Sequence, residues 1–278
     1  MFRVKANRNG YQEEDLKMRV AALQMAVVEG EKNRTIDKAV ENIRRARGAD
    51  LVILPEIWNV GFMSFDRYLS EAEDRNGPTL TTLRTLAKEV NVYLHTGSFV
   101  EKDTDKYFNS SYLISPDGDL VCNYRKLHLF GFNSKERKIL SRGDHVVVAK
   151  TSLGNFGMAT CYDLRFPELF RRMVDQGAEV FLVTSAWPYP RLEHWIILNR
   201  ARAIENQCFL ISANSVGLNM GTRFVGHSMI IDPWGVVLGS AGDEETILRA
   251  EIAHGEVKKA RDRFPALTNR LGWLGRTF

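Results

Sequence analysis

Apolar and polar positions alternate along this chain with two different periods. The run Arg19–Val27, RVAALQMAV, is almost continuously apolar and suits a buried strand. Over 32–47 the period becomes helical: Ile36, Ala39, Val40, Ile43 and Ala46 share one face, and Gly48 follows as a stop. Asp50-Leu51-Val52-Ile53-Leu54 is a short β-rich run closed by Pro55. Leu80, Leu83, Leu86, Ala87 and Val90 predict a helix over 79–90, with a strand over 92–100. Strand and helix therefore alternate, which argues for an α/β fold. Ser115-Pro116-Asp117-Gly118 and Asp232-Pro233-Trp234-Gly235 each lie between β-rich runs and read as hairpin turns.

One stretch recurs. Gly48-Ala49-Asp50-Leu51-Val52-Ile53-Leu54-Pro55-Glu56-Ile57-Trp58 resembles Gly177-Ala178-Glu179-Val180-Phe181-Leu182-Val183-Thr184-Ser185-Ala186-Trp187. Each runs from a helix-stopping Gly through an acidic residue and four apolar positions to a Trp, and in each half a hairpin follows later. Either this is the helix–Gly–strand pattern common to α/β chains, or the chain holds two similar halves that pack their sheets together with helices outside. The second reading is adopted here. No linker separates the halves, so 18–278 is expected to be one domain, preceded by a polar tail over 1–17.

Composition narrows the function. The 278 residues are 44% apolar and 26% charged, enough for a large core. A net charge of +4, with 38 basic and 34 acidic residues, is too small a surplus to predict a nucleic-acid partner, which would show as a clustered basic face. No apolar run nears the roughly 20 residues of a membrane span, and the first residues lack the apolar segment of a secretory signal. Three scattered cysteines make neither a disulfide framework nor a zinc site, so a reducing, cytoplasmic setting is expected. Phosphate-loop, dinucleotide, serine-hydrolase and zinc-protease motifs are absent, and no metal or other cofactor is expected.

Three residues carry candidate chemistry. Cys161 ends the β-like run Asn155–Thr160 and precedes a helix expected from about Phe166 to Gln176. A thiol on a strand-to-helix turn projects from a sheet edge beside free backbone N–H groups, beginning with that of Tyr162, that can hold an oxyanion. The alternative is a buried cysteine filling a small hole, the reading that Cys122 and Cys208 fit better. Glu56 follows four apolar residues and Pro55 at the C-terminal end of a strand, where α/β sheets place their sites. It is either a base in dry surroundings or an exposed loop charge. Lys126, framed by Leu120–Arg125 and Leu127–Phe130, is either committed to a buried partner or a strand-end surface lysine.

Taken together, Pro55-Glu56, Tyr124-Arg125-Lys126-Leu127-His128-Leu129-Phe130 and Cys161-Tyr162-Asp163-Leu164-Arg165-Phe166-Pro167-Glu168 resemble the three signatures of the nitrilase superfamily of carbon–nitrogen hydrolases, in order and spacing, over residues 18 to 270. The resemblance implies a four-layer α-β-β-α sandwich that pairs into homodimers or larger assemblies. It also implies Cys161 as nucleophile, Glu56 as general base and Lys126 as stabiliser of the tetrahedral intermediate, with Glu136 in the place of a second structural glutamate. Such chemistry suits these residue types. A thiol of pKa near 8.5 is only about 3% ionised at pH 7, a deficit of roughly 2 kcal/mol that a base can cover.

Ala186–Trp195, Arg202–Gln207 and Phe224–Ser228 resemble the omega-amidase branch, whose members hydrolyse amides such as 2-oxoglutaramate or succinamate. A carboxylate on the substrate would want a cation, and Arg165 and Arg191 are candidates, Arg165 alternatively as a partner of Asp163. Trp187 and Tyr189 either wall the pocket or fill core. A nitrilase, a deaminated-glutathione or N-carbamoyl amidase, and a non-catalytic scaffold are the competing readings.

Overall fold

A computed structural model describes residues 17–253 and 255–271, so most of the predicted tail lies outside the described residues. The first half contains β1 (Lys17–Gln24), α1 (Lys32–Arg45), β2 (Leu51–Ile53), α2 (Pro78–Val90), β3 (Tyr93–Asp103), β4 (Lys106–Ile114) and β5 (Leu120–Arg125). A short α3 (Glu136–Ile139) and β6 (Val148–Thr151) lead into β7 (Gly154–Thr160), a 3-10 turn over Cys161–Arg165, α4 (Pro167–Asp175), β8 (Val180–Ser185), α5 (Leu192–Asn206) and β9 (Phe209–Asn214). Next come β10 (Val216–Asn219), β11 (Thr222–Val225), β12 (Met229–Ile231), β13 (Val237–Ser240), β14 (Thr246–Ala253) and α6 (Glu256–Arg263). Lys17, assigned above to the tail, already pairs with Ala253 in β1.

The described residues form two six-stranded sheets, ordered β14-β1-β2-β3-β4-β5 and β13-β12-β9-β8-β7-β6, plus the β10–β11 hairpin. In each, parallel strands joined by helical crossovers occupy the centre and antiparallel ones the flanks. The repeat falls on β2 and β8, and the two predicted turns close β4–β5 and β12–β13.

Strand alternation sorts the core into layers. Val20, Ala22, Leu51 and Ile53 of the first sheet meet Met158, Leu182 and Ile211 of the second between the sheets. Ala21, Leu23 and Val52 face outward onto Ala39 and Ile43 of α1 and Leu83 and Leu86 of α2. Phe181, Val183 and Leu210 similarly meet Phe170 and Met173 of α4 and Trp195 and Ala203 of α5. The result is the expected α-β-β-α sandwich of two similar halves. The first strand stops at Gln24, before the predicted Val27. There the chain leaves the ladder because the Gln24 amide bonds the Gly242 and Glu244 carbonyls, and Ala26 N–H bonds Glu245.

His95 on β3 is fully buried and its Nδ1 accepts the Gly97 N–H at 3.2 Å, a bond that only the neutral ring can accept. Burial lowers its pKa to about 3. The unfolded ring takes up a proton near pH 6.5 and the folded one does not, so stability falls as pH drops from about 6.5 towards 3. Urea unfolding of wild type and His95→Gln at pH 7 and pH 5 checks this: the stability difference between them shrinks by about 2 kcal/mol at the lower pH.

Candidate active site

The central strands of both sheets deliver their C-terminal ends to one place. After β2, Pro55 turns the chain and Ile57 takes a φ of 40°, a conformation a β-branched residue adopts only when its neighbours enforce it. The bulge in β3 does so. Ser98 N–H bonds the Pro55 carbonyl at 3.0 Å, and Ile57 N–H bonds Ser98 Oγ at 3.0 Å. Gly97 permits this approach, since a Cβ there would lie 2.1 Å from the Pro55 oxygen. Glu56 is thereby driven into the interior with no exposed surface.

Lys126 arrives from the end of β5, its N–H bonded to the Asn109 carbonyl at 2.9 Å, and Glu136 from the first residue of α3. All three side chains are fully buried. Lys126 Nζ donates to Glu56 Oε1 at 2.8 Å and to Glu136 Oε1 and Oε2 at 2.9 and 3.0 Å. Asn109 Nδ2 donates to Glu56 Oε1 at 2.9 Å and Glu136 Oε1 at 2.8 Å. The other Glu56 oxygen accepts the Ala186 N–H at 2.9 Å, and Glu136 Oε2 accepts that of Phe130 at 2.7 Å. Burial works against the ammonium, but Glu136 and Glu56 overcome it and hold the Lys126 pKa above its usual value. Burial and the charge of Glu56 push Glu136 upward against Lys126.

Cys161 is the first residue of the 3-10 turn and takes a φ of 48°, an unfavourable backbone for a side chain that aims the thiol off the sheet edge. Tyr162, second in the turn, has an N–H with no acceptor inside it. The buried Asp163 fixes this turn. Its Oδ2 accepts Thr160 N–H at 2.8 Å and the Tyr124 hydroxyl at 2.6 Å, while Oδ1 accepts His128 N–H at 3.0 Å and faces His128 Nδ1 at 2.7 Å. One carboxylate thus joins the cysteine turn to both flanks of Lys126. Burial, then Glu56, raises the Cys161 thiol well above its usual pKa, with Lys126 opposing. At rest the sulfur is a neutral thiol.

A cleft opens over the thiol, lined in part by Phe62, Phe130, Tyr162, Arg165, Trp187 and Arg191. Arg165 does not pair with Asp163. Its guanidinium lies 3.2 Å from His194 Nδ1 and 4.7 Å from the Trp187 ring centre, because Asp163 is already filled from the Lys126 side. Arg191 lies over the Phe130 ring. Neither arginine has a carboxylate partner among the described residues. Trp187 both lines the cleft and joins the core, whereas Tyr189 does not line it: it packs on the second half's outer core with Arg223 over its ring.

Sequence reasoning missed Asn109, Asp163 as the clamp, and the cleft walls Phe62 and Phe130. Asn109 opens the triplet Asn109-Ser110-Ser111, a glycosylation-type pattern that a buried residue cannot serve. Among the described residues no cluster of His, Cys, Asp and Glu could hold a metal, and no helix is long and apolar enough to cross a membrane.

Residues 19–262 match the carbon–nitrogen hydrolase family model. The chain is 37% identical to the 2-oxoglutaramate amidase of Paenarthrobacter nicotinovorans over 80% of its own length and 78% of that protein's. It is 36% identical to the deaminated glutathione amidase of Synechocystis, covering 87% of this chain and 91% of the other. Saccharomyces cerevisiae Nit3, a solved member of branch 10 of the nitrilase superfamily, superposes with a TM-score of 0.84 at 31% identity, over 92% of this chain and 97% of that one.

Asn109→Asp places a third carboxyl group against Glu56 and Glu136 with one lysine to balance them. The variant is expected to lose about 3 kcal/mol of stability at pH 7. The added carboxyl has a raised folded-state pKa, so the loss shrinks as pH falls to 5, and urea unfolding at both values reads it.

Proposed function

This chain belongs to the carbon–nitrogen hydrolase family, and we propose that it is a cysteine amidase releasing ammonia from a short amide that carries a carboxylate, of the 2-oxoglutaramate or succinamate type. The observation that carries the substrate reading is the pair Arg165 and Arg191, two guanidiniums beside the Cys161 thiol without an acidic partner among the described residues. A carboxylate is the group that a planar guanidinium binds best. The resemblance to a 2-oxoglutaramate amidase over most of both chains supports the same reading.

In the proposed reaction the amide carbonyl sits between Lys126 and the N–H of Tyr162. Glu56 takes the thiol proton as the sulfur attacks the carbonyl carbon, and the ammonium and amide N–H hold the resulting oxyanion. Glu56 passes that proton to the leaving nitrogen, the C–N bond breaks, and ammonia departs from a thioester. Water then attacks the thioester carbon and gives its proton to Glu56. The C–S bond breaks with its electrons on sulfur, and Glu56 returns the proton to it. Glu136 stays a carboxylate that fixes Lys126. Apart from the amide and water, every group in the reaction belongs to this chain.

The protein is further proposed to act in the cytoplasm as a homodimer or larger homo-oligomer, without nucleic-acid or membrane partners. Ile197 and Ile204 on α5 and Trp234 and Val236 on the β12–β13 turn are exposed, and Arg200 of α5 bonds the Gly235 carbonyl, so one apolar face spans both elements. Sedimentation is expected to give at least twice the chain mass of 31.7 kDa, and Ile204→Glu to return it toward that mass.

Ammonia release from succinamate tests the function. Wild type turns it over, and Cys161→Ala, folded as judged by circular dichroism, does not. Arg165→Met and Arg191→Met each lower kcat/KM for succinamate at least about tenfold while leaving the uncharged butyramide within about twofold. A folded wild type inert toward succinamate overturns the carboxylate-amide reading and points to aliphatic amides, carbamoyl amines and nitriles.

A further inference from the structure

We propose that the Ser185 hydroxyl is a further catalytic group, donating a hydrogen bond to the Cys161 sulfur while that sulfur carries negative charge. The inference rests on the reading of Cys161 as nucleophile given above. In the internal repeat, Gly48–Glu56 aligns with Gly177–Ser185, so Ser185 occupies in the second half the position that Glu56 holds in the first. The two are joined directly, since Glu56 N–H donates to the Ser185 carbonyl at 3.2 Å. The register places Ser185 beside the nucleophile as well. Parallel β7 and β8 pair Thr160 with Thr184, and Cys161 and Ser185 are the next residues on the two adjacent chains.

Ser185 Oγ is fully buried and makes no hydrogen bond of ordinary geometry among the described residues, the Cys161 sulfur being the group it faces. Neighbouring Thr184 gives its hydroxyl to the Leu54 carbonyl at 2.7 Å, so an ordinary acceptor was within the fold's reach at this strand end. A buried hydroxyl without an acceptor costs folding free energy, and such groups persist where function uses them. The acceptor that Ser185 lacks is one the reaction creates. As the C–S bond forms, the thiol proton passes to Glu56. When the thioester later breaks, the C–S electron pair returns to sulfur before Glu56 gives the proton back. At both moments sulfur bears charge, and a hydrogen bond to a charged acceptor is about twice as strong as one to a neutral thiol. Such a bond favours the transition states over the resting enzyme. In the same sense, the Ser185 hydroxyl and Lys126 favour the thiolate, against burial and the charge of Glu56.

The test is the rate of Cys161 alkylation by iodoacetamide between pH 6 and pH 10, with the modified peptide identified by mass. Cys122 and Cys208 do not line the cleft, and the mass of the modified peptide tells any alkylation of them from that of Cys161. Ser185→Ala leaves no orphaned partner behind and is expected to fold. Its alkylation curve should move up by about one pH unit, roughly tenfold slower at any given pH, with kcat for succinamate down at least tenfold and KM unchanged. Ser185→Thr, which keeps the hydroxyl, should restore both. Should the alanine variant not fold, Ser185→Gly serves for the same readout. An unmoved alkylation curve in Ser185→Ala, or an equal shift in Ser185→Thr, overturns the proposal. Full turnover by wild type alkylated at Cys161 overturns instead the nucleophile reading beneath it.

Discussion

Lys126 carries its ammonium into the middle of the sandwich, where neither it nor Glu56 nor Glu136 has exposed surface. An isolated charge at such a depth is prohibitively costly, and even a pair breaks even only when every remaining donor and acceptor is satisfied. Here two carboxylates face one ammonium, so the group carries a surplus negative charge. Donors from three directions offset it: the Asn109 amide, the Ala186 N–H and the Phe130 N–H. Glu56 is held by both sheets at once, since Lys126 and Asn109 belong to the first and Ala186 follows β8 of the second. The cluster can exist only if both halves are docked in one register.

That requirement explains why the site lies where it does. Parallel central strands release their chains at the same edge, so β2, β7 and β8 end together, and each supplies a residue there: Glu56, Cys161 and Ser185. The antiparallel flank of the first sheet supplies the rest through Asn109 on β4 and Lys126 just past β5. Asp163 then locks the two sources to each other, with Thr160 on one side and Tyr124 and His128 on the other. As at turn and helix-end residues such as Asn91 and Gln207, left-handed backbone occurs at Ile57 and Cys161 beside the chemistry. The hydrogen bonds around them hold those conformations open against their intrinsic preference.

Much of this was legible in the chain. The periodicities located β1, α1, α2 and β3 because their apolar faces are continuous, and the duplicated Gly-to-Trp stretch revealed the two halves because each half packs the same way. Glu56 and Lys126 stood out as charges among apolar neighbours. What could not be read were residues whose meaning comes only from long-range contact. Asn109 lies 53 residues from Glu56 and 27 from Glu136, and its amide is ordinary until both carboxylates arrive. Arg165, the nearest cation in sequence, stands as an alternative partner of Asp163, whereas beyond Thr160 the carboxylate is held by residues 35 and 39 positions upstream. Tyr189 sits close to Trp187 in sequence, but its ring joins the outer core under Arg223 instead of lining the cleft. Local proximity misleads when a loop between strand and helix decides which way a side chain turns.

The state of the thiol follows from the same charge balance. A cysteine beside a cation is commonly expected to rest as a thiolate. In this site burial disfavours the thiolate first, Glu56 adds its negative charge, and the positive charge of Lys126 is already engaged by two carboxylates, so the thiol stays protonated. Nucleophilicity is then conditional. The sulfur gains electron density only as Glu56 removes its proton, and in the proposed reaction that transfer is favourable only when a carbonyl carbon is present to accept the new bond and an oxyanion forms against Lys126. A resting thiolate would react with any electrophile that entered the cleft. A neutral thiol flanked by a base and a committed cation reacts with a substrate whose carbonyl oxygen reaches Lys126, so the ion cluster that holds the two halves in register also limits which molecules the cysteine attacks.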